Sequence, residues 1–274
     1  MFSQEFMRNA LLAGTFVALA CGVSGWFVVL RAQVFAGDAL SHVAFPGALA
    51  AAAAGIDERV GLFAATIVMG AGIGTLGRRA PTGADGGGAP ADDTAIGIVF
   101  TFILGLGVFF LTLFSMGSGG GAGIQAAHTL FGSIFGLSAG GARLAAAIAL
   151  GATLLTALIA RPLLFASVAP EVAGARGVPT RLLGIGFLAI LGVVAAEASQ
   201  VVGALLLLGL LAAPAGAAHR ITARPFAGIA AAGLFAVVAM WGGLALSYAI
   251  PSLPPGTAVV VIAVAIYLAA RVLA

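Results

Sequence analysis

The run Gly37-Asp38-Ala39-Leu40-Ser41-His42-Val43-Ala44-Phe45-Pro46-Gly47 sets a carboxylate and an imidazole four residues apart in an apolar stretch. On a helix that spacing puts Asp38 and His42 on one face, one turn apart. Carboxylate oxygen and imidazole nitrogen are donors suited to divalent transition metals. Pro46 lies four residues beyond His42 and has no N–H to give to the His42 carbonyl. The helix is therefore weakened beside the pair, and a carbonyl is free to face a path. Ionisable groups in an apolar span are costly and point to a substrate or ion path. The alternative is a kinked, packed helix that Asp38 merely caps.

The segments that must carry this pair are membrane spans. The 274-residue chain is 62% hydrophobic and 8% charged, whereas a soluble domain carries about a quarter charged residues. Its mean hydropathy is +1.19, and its 41 glycines suit helices that pack through small side chains. The expected fold is an all-α polytopic membrane bundle, one transmembrane domain over residues 1–274 with no separate soluble domain. At roughly 20 residues per crossing, spans fall near 10–30, 39–55, 60–77, 94–115, 140–160, 182–198, 200–218 and 226–249, with a further one near 256–272. That makes eight or nine. Residues 130–136 are apolar but too short to cross, which suggests a re-entrant or interfacial segment. Residues 1–9 contain Glu5 and Arg8 and lack the pattern of a cleaved signal, so the first apolar run reads as a permanent span.

All 12 basic residues are Arg. The pI near 10 is explained by cationic loops beside spans and implies no nucleic-acid partner. Without Lys the chain cannot hold an ordinary Walker A loop, so any ATP that drives it is bound by another polypeptide. One arrangement gathers Arg31, Arg78, Arg79, Arg161, Arg176, Arg181, Arg220, Arg224 and Arg271 on one side, leaving Arg8, Arg59 and Arg143 on the other. The richer side is assigned to the cytoplasm. Cys21, the only cysteine, excludes an intrachain disulfide and reads as a packing residue.

The connection 161–181 then lies in the cytoplasm. Its centre reads as a short helix, with Pro170 at the first position and Gly177 near the end. Such a helix is either a surface connector or the element that a permease docks into a motor subunit.

These residues resemble a known family. Val29-Leu30-Arg31, then Gly37-Asp38-Ala39-Leu40-Ser41-His42 with Pro46-Gly47, looks like the second-span signature of ABC-3 family metal permeases. Those are the membrane subunits of ATP-binding-cassette importers for zinc, manganese or iron. Leu130-Phe131-Gly132-Ser133-Ile134 resembles the family's central segment, and Pro170-Glu171 its ATPase-coupling loop. Gln200-Val201-Val202-Gly203-Ala204-Leu205-Leu206 through Pro214-Ala215-Gly216-Ala217 resembles its penultimate conserved span. Two positions depart from the pattern: Ala169 where relatives often carry Asp, and His219 where they usually have a small residue.

The resemblance implies a permease of the cell (plasma or inner) membrane that works as a homodimer. Its partners would be separate ATPase subunits, an extracytoplasmic metal-binding protein and membrane lipid. Coupling to the ATPase would involve Pro170, Glu171, Arg176 and Gly177. No permanently bound cofactor is expected; the divalent metal, Zn²⁺ or Mn²⁺, is the cargo. If the second span lines the two-fold axis, two copies of Asp38 and His42 converge into a four-ligand transit site.

Other residues carry less. Glu197, Ser199 and Gln200 fall at the outer junction of two spans and form either a solvated loop or an outer vestibule. His128 follows a Gly-rich outer loop and is interfacial or helps to receive metal; His219 is a polar helix end. Gly72-Ile73-Gly74-Thr75-Leu76-Gly77 matches a dinucleotide fingerprint but lies inside an apolar span. Gly70 and Gly74 fit a small-xxx-small packing face better. No His-Glu-x-x-His motif supports an intramembrane metalloenzyme, so no enzymatic activity is expected. An ion-driven secondary transporter remains the other alternative.

Overall fold

The computed structural model describes residues 4–76, 93–117, 132–204 and 206–273. Its helices are α1 (Glu5–Leu30), α2 (Val34–Ala53), α3 (Glu58–Leu76), α4 (Asp93–Gly117), α5 (Ala139–Val168), α6 (Pro170–Ala175), α7 (Thr180–Val201), α8 (Leu207–Ile221), α9 (Pro225–Ala249) and α10 (Pro255–Leu273). A 3₁₀ turn at Ile134–Gly136 precedes α5. Each of the nine anticipated apolar segments holds one helix, and no strand occurs among the described residues. Among the described residues seven helices are long and apolar enough to cross a membrane, and α8 is a shorter apolar helix. The protein is a multi-pass membrane protein.

Helix α1 is central, packing against α5, α8, α9 and α7. A second layer runs α4, α2, α3, α7, with α2 against both α3 and α4 and α3 against α7. Small residues set these approaches. A Cβ at Gly192 would stand 2.5 Å from the Thr66 carbonyl oxygen, and one at Gly74 would stand 2.8 Å from Ile185 Cα. Gly70 likewise faces the Leu188 carbonyl, so Gly70 and Gly74 form the anticipated packing face of α3 against α7. Gly72, between them, meets nothing.

Two boundaries differ from expectation. The span placed at 140–160 continues through Arg161 and Pro162 to Val168. Arg161 is exposed, so its charge does not end the helix where a charge count would end a span. The connection to the next long helix is correspondingly shorter, beginning at Ala169. The pair of spans divided near residue 199 instead divides at 202–206. There Gly203, at φ 104°, adopts a backbone that a side chain would disfavour.

The described part of the 130–136 segment tucks against the bundle. Ser133 N–H donates to the Gln200 carbonyl at 3.1 Å, and Phe135 meets Phe6 edge-on at 5.5 Å. Asn9 Nδ2 donates to the Leu137 carbonyl at 3.2 Å. Residues 130 and 131 lie outside the described residues.

Candidate metal path

Asp38 is the fifth residue of α2 and His42 the ninth. The helix starts at Val34 with Gln33 at its N-cap, so Asp38 does not cap it. The Asp38 Oδ1 to His42 Nε2 distance is 3.9 Å, with side chains 30% and 19% exposed respectively. Bonds of about 2.0–2.2 Å place two ligand atoms roughly 3.4 Å apart across a tetrahedral ion. A small side-chain adjustment would let both groups bind one cation. Their partial exposure leaves room for water or further ligands.

Neighbouring elements hold the pair in place. The His42 ring lies 5.3 Å from that of Phe100 on α4, and Phe100 in turn meets Phe35 at 6.4 Å. Buried Ser41 donates its hydroxyl to the Asp38 carbonyl at 2.6 Å. Ser199 of α7 comes within 3.5 Å of the Ser41 carbonyl. One turn on, Pro46 sits inside α2 and packs against Gly107 of α4, where an added Cβ would lie 3.0 Å from Pro46 Cγ. A wholly apolar cavity of about 420 Å³ lies between α2, α3 and α4 beside Pro46. Among the described residues no group of three His, Cys, Asp or Glu gathers to hold a metal. Among the described residues the pair therefore stands without a third such side chain.

Glu197 and Ser199 are not in a solvated loop. Both are buried within the last turns of α7. Arg59, in the first turn of α3, reaches Glu197 Oε1 with Nη2 at 2.6 Å, while the carboxylate side chain is only 2% exposed. Glu197 Oε2 and Arg59 Nε have no hydrogen-bond partner among the described residues. The charge that suggested a membrane boundary is thus compensated inside the protein. Gln200 lines a cavity of about 590 Å³, together with Asp57, Glu58, Arg59 and Ser133. Glu197 is not among its lining residues. His128 lies outside the described residues.

Helix α6 has Pro170 at its first position. Gly177 follows at φ 79°, a left-handed backbone that closes the turn. Glu171 and Arg176 are exposed and Ala173 is buried, so the helix rests on the bundle and presents its charged side outward. His219 ends α8 as a packed ring rather than a solvated one. It stacks on Trp26 at 4.8 Å, and its Nε2 lies 3.0 Å from the Trp26 carbonyl.

Sequence reasoning missed Phe100 and the Arg59–Glu197 pair. No local signal pointed to Phe100, which arrives from another helix. The ion pair had one, since both residues fall near span ends with opposite charge.

Residues 3–274 match the ABC 3 transport family. The manganese transport system membrane protein MntC of Halalkalibacterium halodurans is 28% identical, over 96% of this chain and 85% of that protein. The chelated iron transport system membrane protein YfeD of Yersinia pestis is 30% identical, over 78% of this chain and 67% of that one. A solved structure, PsaBC from Streptococcus pneumoniae in complex with Fab, superposes with a TM-score of 0.82 at 25% identity. The match covers 97% of this chain and 91% of the chain compared.

Proposed function

The chain belongs to the ABC 3 transport family, and from that premise we propose that it is the permease of an ATP-driven importer for a divalent transition metal, manganese first. The observation that carries this reading is the Asp38–His42 pair on α2, one turn apart, 3.9 Å between donor atoms and partly open. The names of relatives such as the manganese transport protein of H. halodurans favour manganese over zinc. The chemistry agrees: one carboxylate, one imidazole and space for water suit Mn²⁺ as readily as Zn²⁺.

Two ligands per chain are few for a binding site. A second copy related by a two-fold axis supplies the same two again. Four groups shared between copies would hold an ion loosely enough to release it, as a transit site requires. The carbonyl of His42, left without a donor by Pro46, adds an oxygen on the same helix. An extracytoplasmic binding protein delivers the ion at the Arg59 end of the bundle. ATPase subunits dock at the opposite end on α6, through Pro170, Glu171, Arg176 and Gly177. Their closure on ATP moves α6 and changes the side from which Asp38 and His42 are reached.

The test is uptake of radiolabelled manganese into proteoliposomes containing the permease, its ATPase and the binding protein. Accumulation should require ATP and a hydrolysis-competent ATPase, and excess unlabelled manganese should compete better than zinc. Uptake driven by a proton or sodium gradient without ATP would instead make the chain a secondary transporter. Stronger competition by zinc would reassign the metal.

A further inference from the structure

The connection between α1 and α2 is three residues long, and its one charged residue is Arg31. The guanidinium is half-buried, and its reach covers three elements. Nη1 donates to Ser167 Oγ of α5 at 3.2 Å, and Nε donates to Gln33 Oε1 at 3.1 Å. The cation lies 5.9 Å from the Phe187 ring of α7, and Nη2 would be 3.4 Å from a Cβ on Gly184. Among the described residues no carboxylate lies within ion-pair distance. Burial lowers the Arg31 pKa from its ordinary value. A charge held away from water by neutral partners is expensive, and a three-residue turn needs no arginine to form.

The partners on the far side of Arg31 bracket α6. Ser167 is two residues before Ala169, where α5 gives way to Pro170. Gly184 and Phe187 lie in the first two turns of α7, the helix that follows α6. Both arms that carry α6 therefore touch one guanidinium.

The near side is stiff. Arg31 N–H donates to Phe27 O at 2.9 Å, Ala32 N–H to Val29 O at 3.1 Å, and Gln33 N–H to Val28 O at 2.9 Å. Gly37 N–H then donates to Gln33 O at 3.1 Å, joining the connection to α2 without a slack residue. Ala32 holds φ 53°, the left-handed region that non-glycine residues seldom occupy. Asp38 stands about 6 Å along α2 from its first residue, at 1.5 Å per residue. A displacement of Arg31 cannot be absorbed in the turn and must tilt or shift the start of α2.

We infer that Arg31 is a positioning residue that transmits displacement of α6 to α2, and so sets the exposure of Asp38 and His42. This inference rests on the ATP-driven reading above. It predicts that loss of the guanidinium separates ATP hydrolysis from ion movement while leaving the ion site itself intact.

The test uses the full complex in proteoliposomes with wild type, Arg31→Gln, Arg31→Lys and Ser167→Ala. ATP hydrolysis and manganese uptake are measured on the same vesicles to give ions moved per ATP. Manganese bound by the permease without ATP is counted by electron paramagnetic resonance. Arg31→Gln should lower ions per ATP by about tenfold, the scale of one charge-assisted hydrogen bond. Its ATP hydrolysis and resting manganese binding should stay near wild type. Arg31→Lys, which keeps charge but not the planar fork, should recover part of the ratio. Ser167→Ala should lower the ratio in the same direction by a smaller factor, and it decides the matter if Arg31→Gln fails to assemble.

A wild-type ratio in Arg31→Gln would overturn the inference. So would uptake that falls only in proportion to hydrolysis, or a wild-type ratio in Ser167→Ala when Arg31→Gln does not assemble. If the wild-type complex moves no manganese with ATP, the ATP-driven reading fails, and this inference fails with it.

Discussion

The Arg59–Glu197 pair makes an asymmetric prediction, because its two partners are buried to different degrees. The Glu197 side chain is 2% exposed and that of Arg59 is 27% exposed. Arg59→Ala would strand a carboxylate inside the α3–α7 contact. Removing one partner of a fully buried pair costs about 3–5 kcal/mol; because the partner is partly exposed, we take the lower figure, about 3 kcal/mol. Glu197→Gln keeps an acceptor for Nη2, and Arg59 already lines a cavity with Gln200, where water can receive it. Its cost should be about 1 kcal/mol. The double variant Arg59→Met/Glu197→Leu should recover most of the Arg59→Ala loss, since an apolar pair leaves no stranded charge.

Cys21 supplies the assay. It is the only cysteine and is fully buried, so a thiol-reactive fluorogenic dye reports unfolding without further engineering. At about 2–4 °C per kcal/mol for chains approaching this size, Tm should fall roughly 6–12 °C in Arg59→Ala and roughly 2–4 °C in Glu197→Gln. If Glu197→Gln costs as much as Arg59→Ala, or if the double variant is as unstable as the summed singles, Glu197 is not the dependent partner.

Other outcomes follow from single contacts. Gly70→Ala should prevent α3 from approaching the Leu188 carbonyl and sharply lower the yield of folded protein, whereas Gly72→Ala, with open space, should express normally; size-exclusion profiles compare the two. Ser138→Ala removes the side-chain acceptor for Gly141 N–H at 3.1 Å at the start of α5. Its Tm in the dye assay should drop by roughly 2–4 °C, the effect of a lost N-cap of about 1 kcal/mol. Pro46→Ala restores a donor for the His42 carbonyl, so it should raise Tm while slowing manganese uptake; wild-type uptake would argue that the break in α2 serves packing alone.

The long helices were legible because nothing competes with hydrophobic runs of span length. The Asp38–His42 pair was legible because two ionisable side chains at helical spacing stand out in such a run. Local reading failed where tertiary contact changes what a residue means. Glu197 looked like a membrane boundary because its compensating Arg59 is far away in sequence. Arg161 and Pro162 looked like the end of a span, yet α5 carries both and ends only at Val168. Gly70 and Gly74 are legible as packing surface because their spacing repeats along one helix face, and both face α7. Phe100 beside His42 left no trace, since nothing in the sequence of α4 indicates which of its aromatic rings meets α2.

The most direct test of the metal path is ATP-dependent manganese uptake by the assembled complex carrying Asp38→Asn or His42→Ala at matched expression. Elemental mass spectrometry would count the ions, with ATP hydrolysis measured on the same vesicles. Both substitutions should abolish uptake while the complex stays assembled and still hydrolyses ATP. Wild-type uptake in either variant would contradict that expectation and leave that side chain of α2 as part of the packing alone.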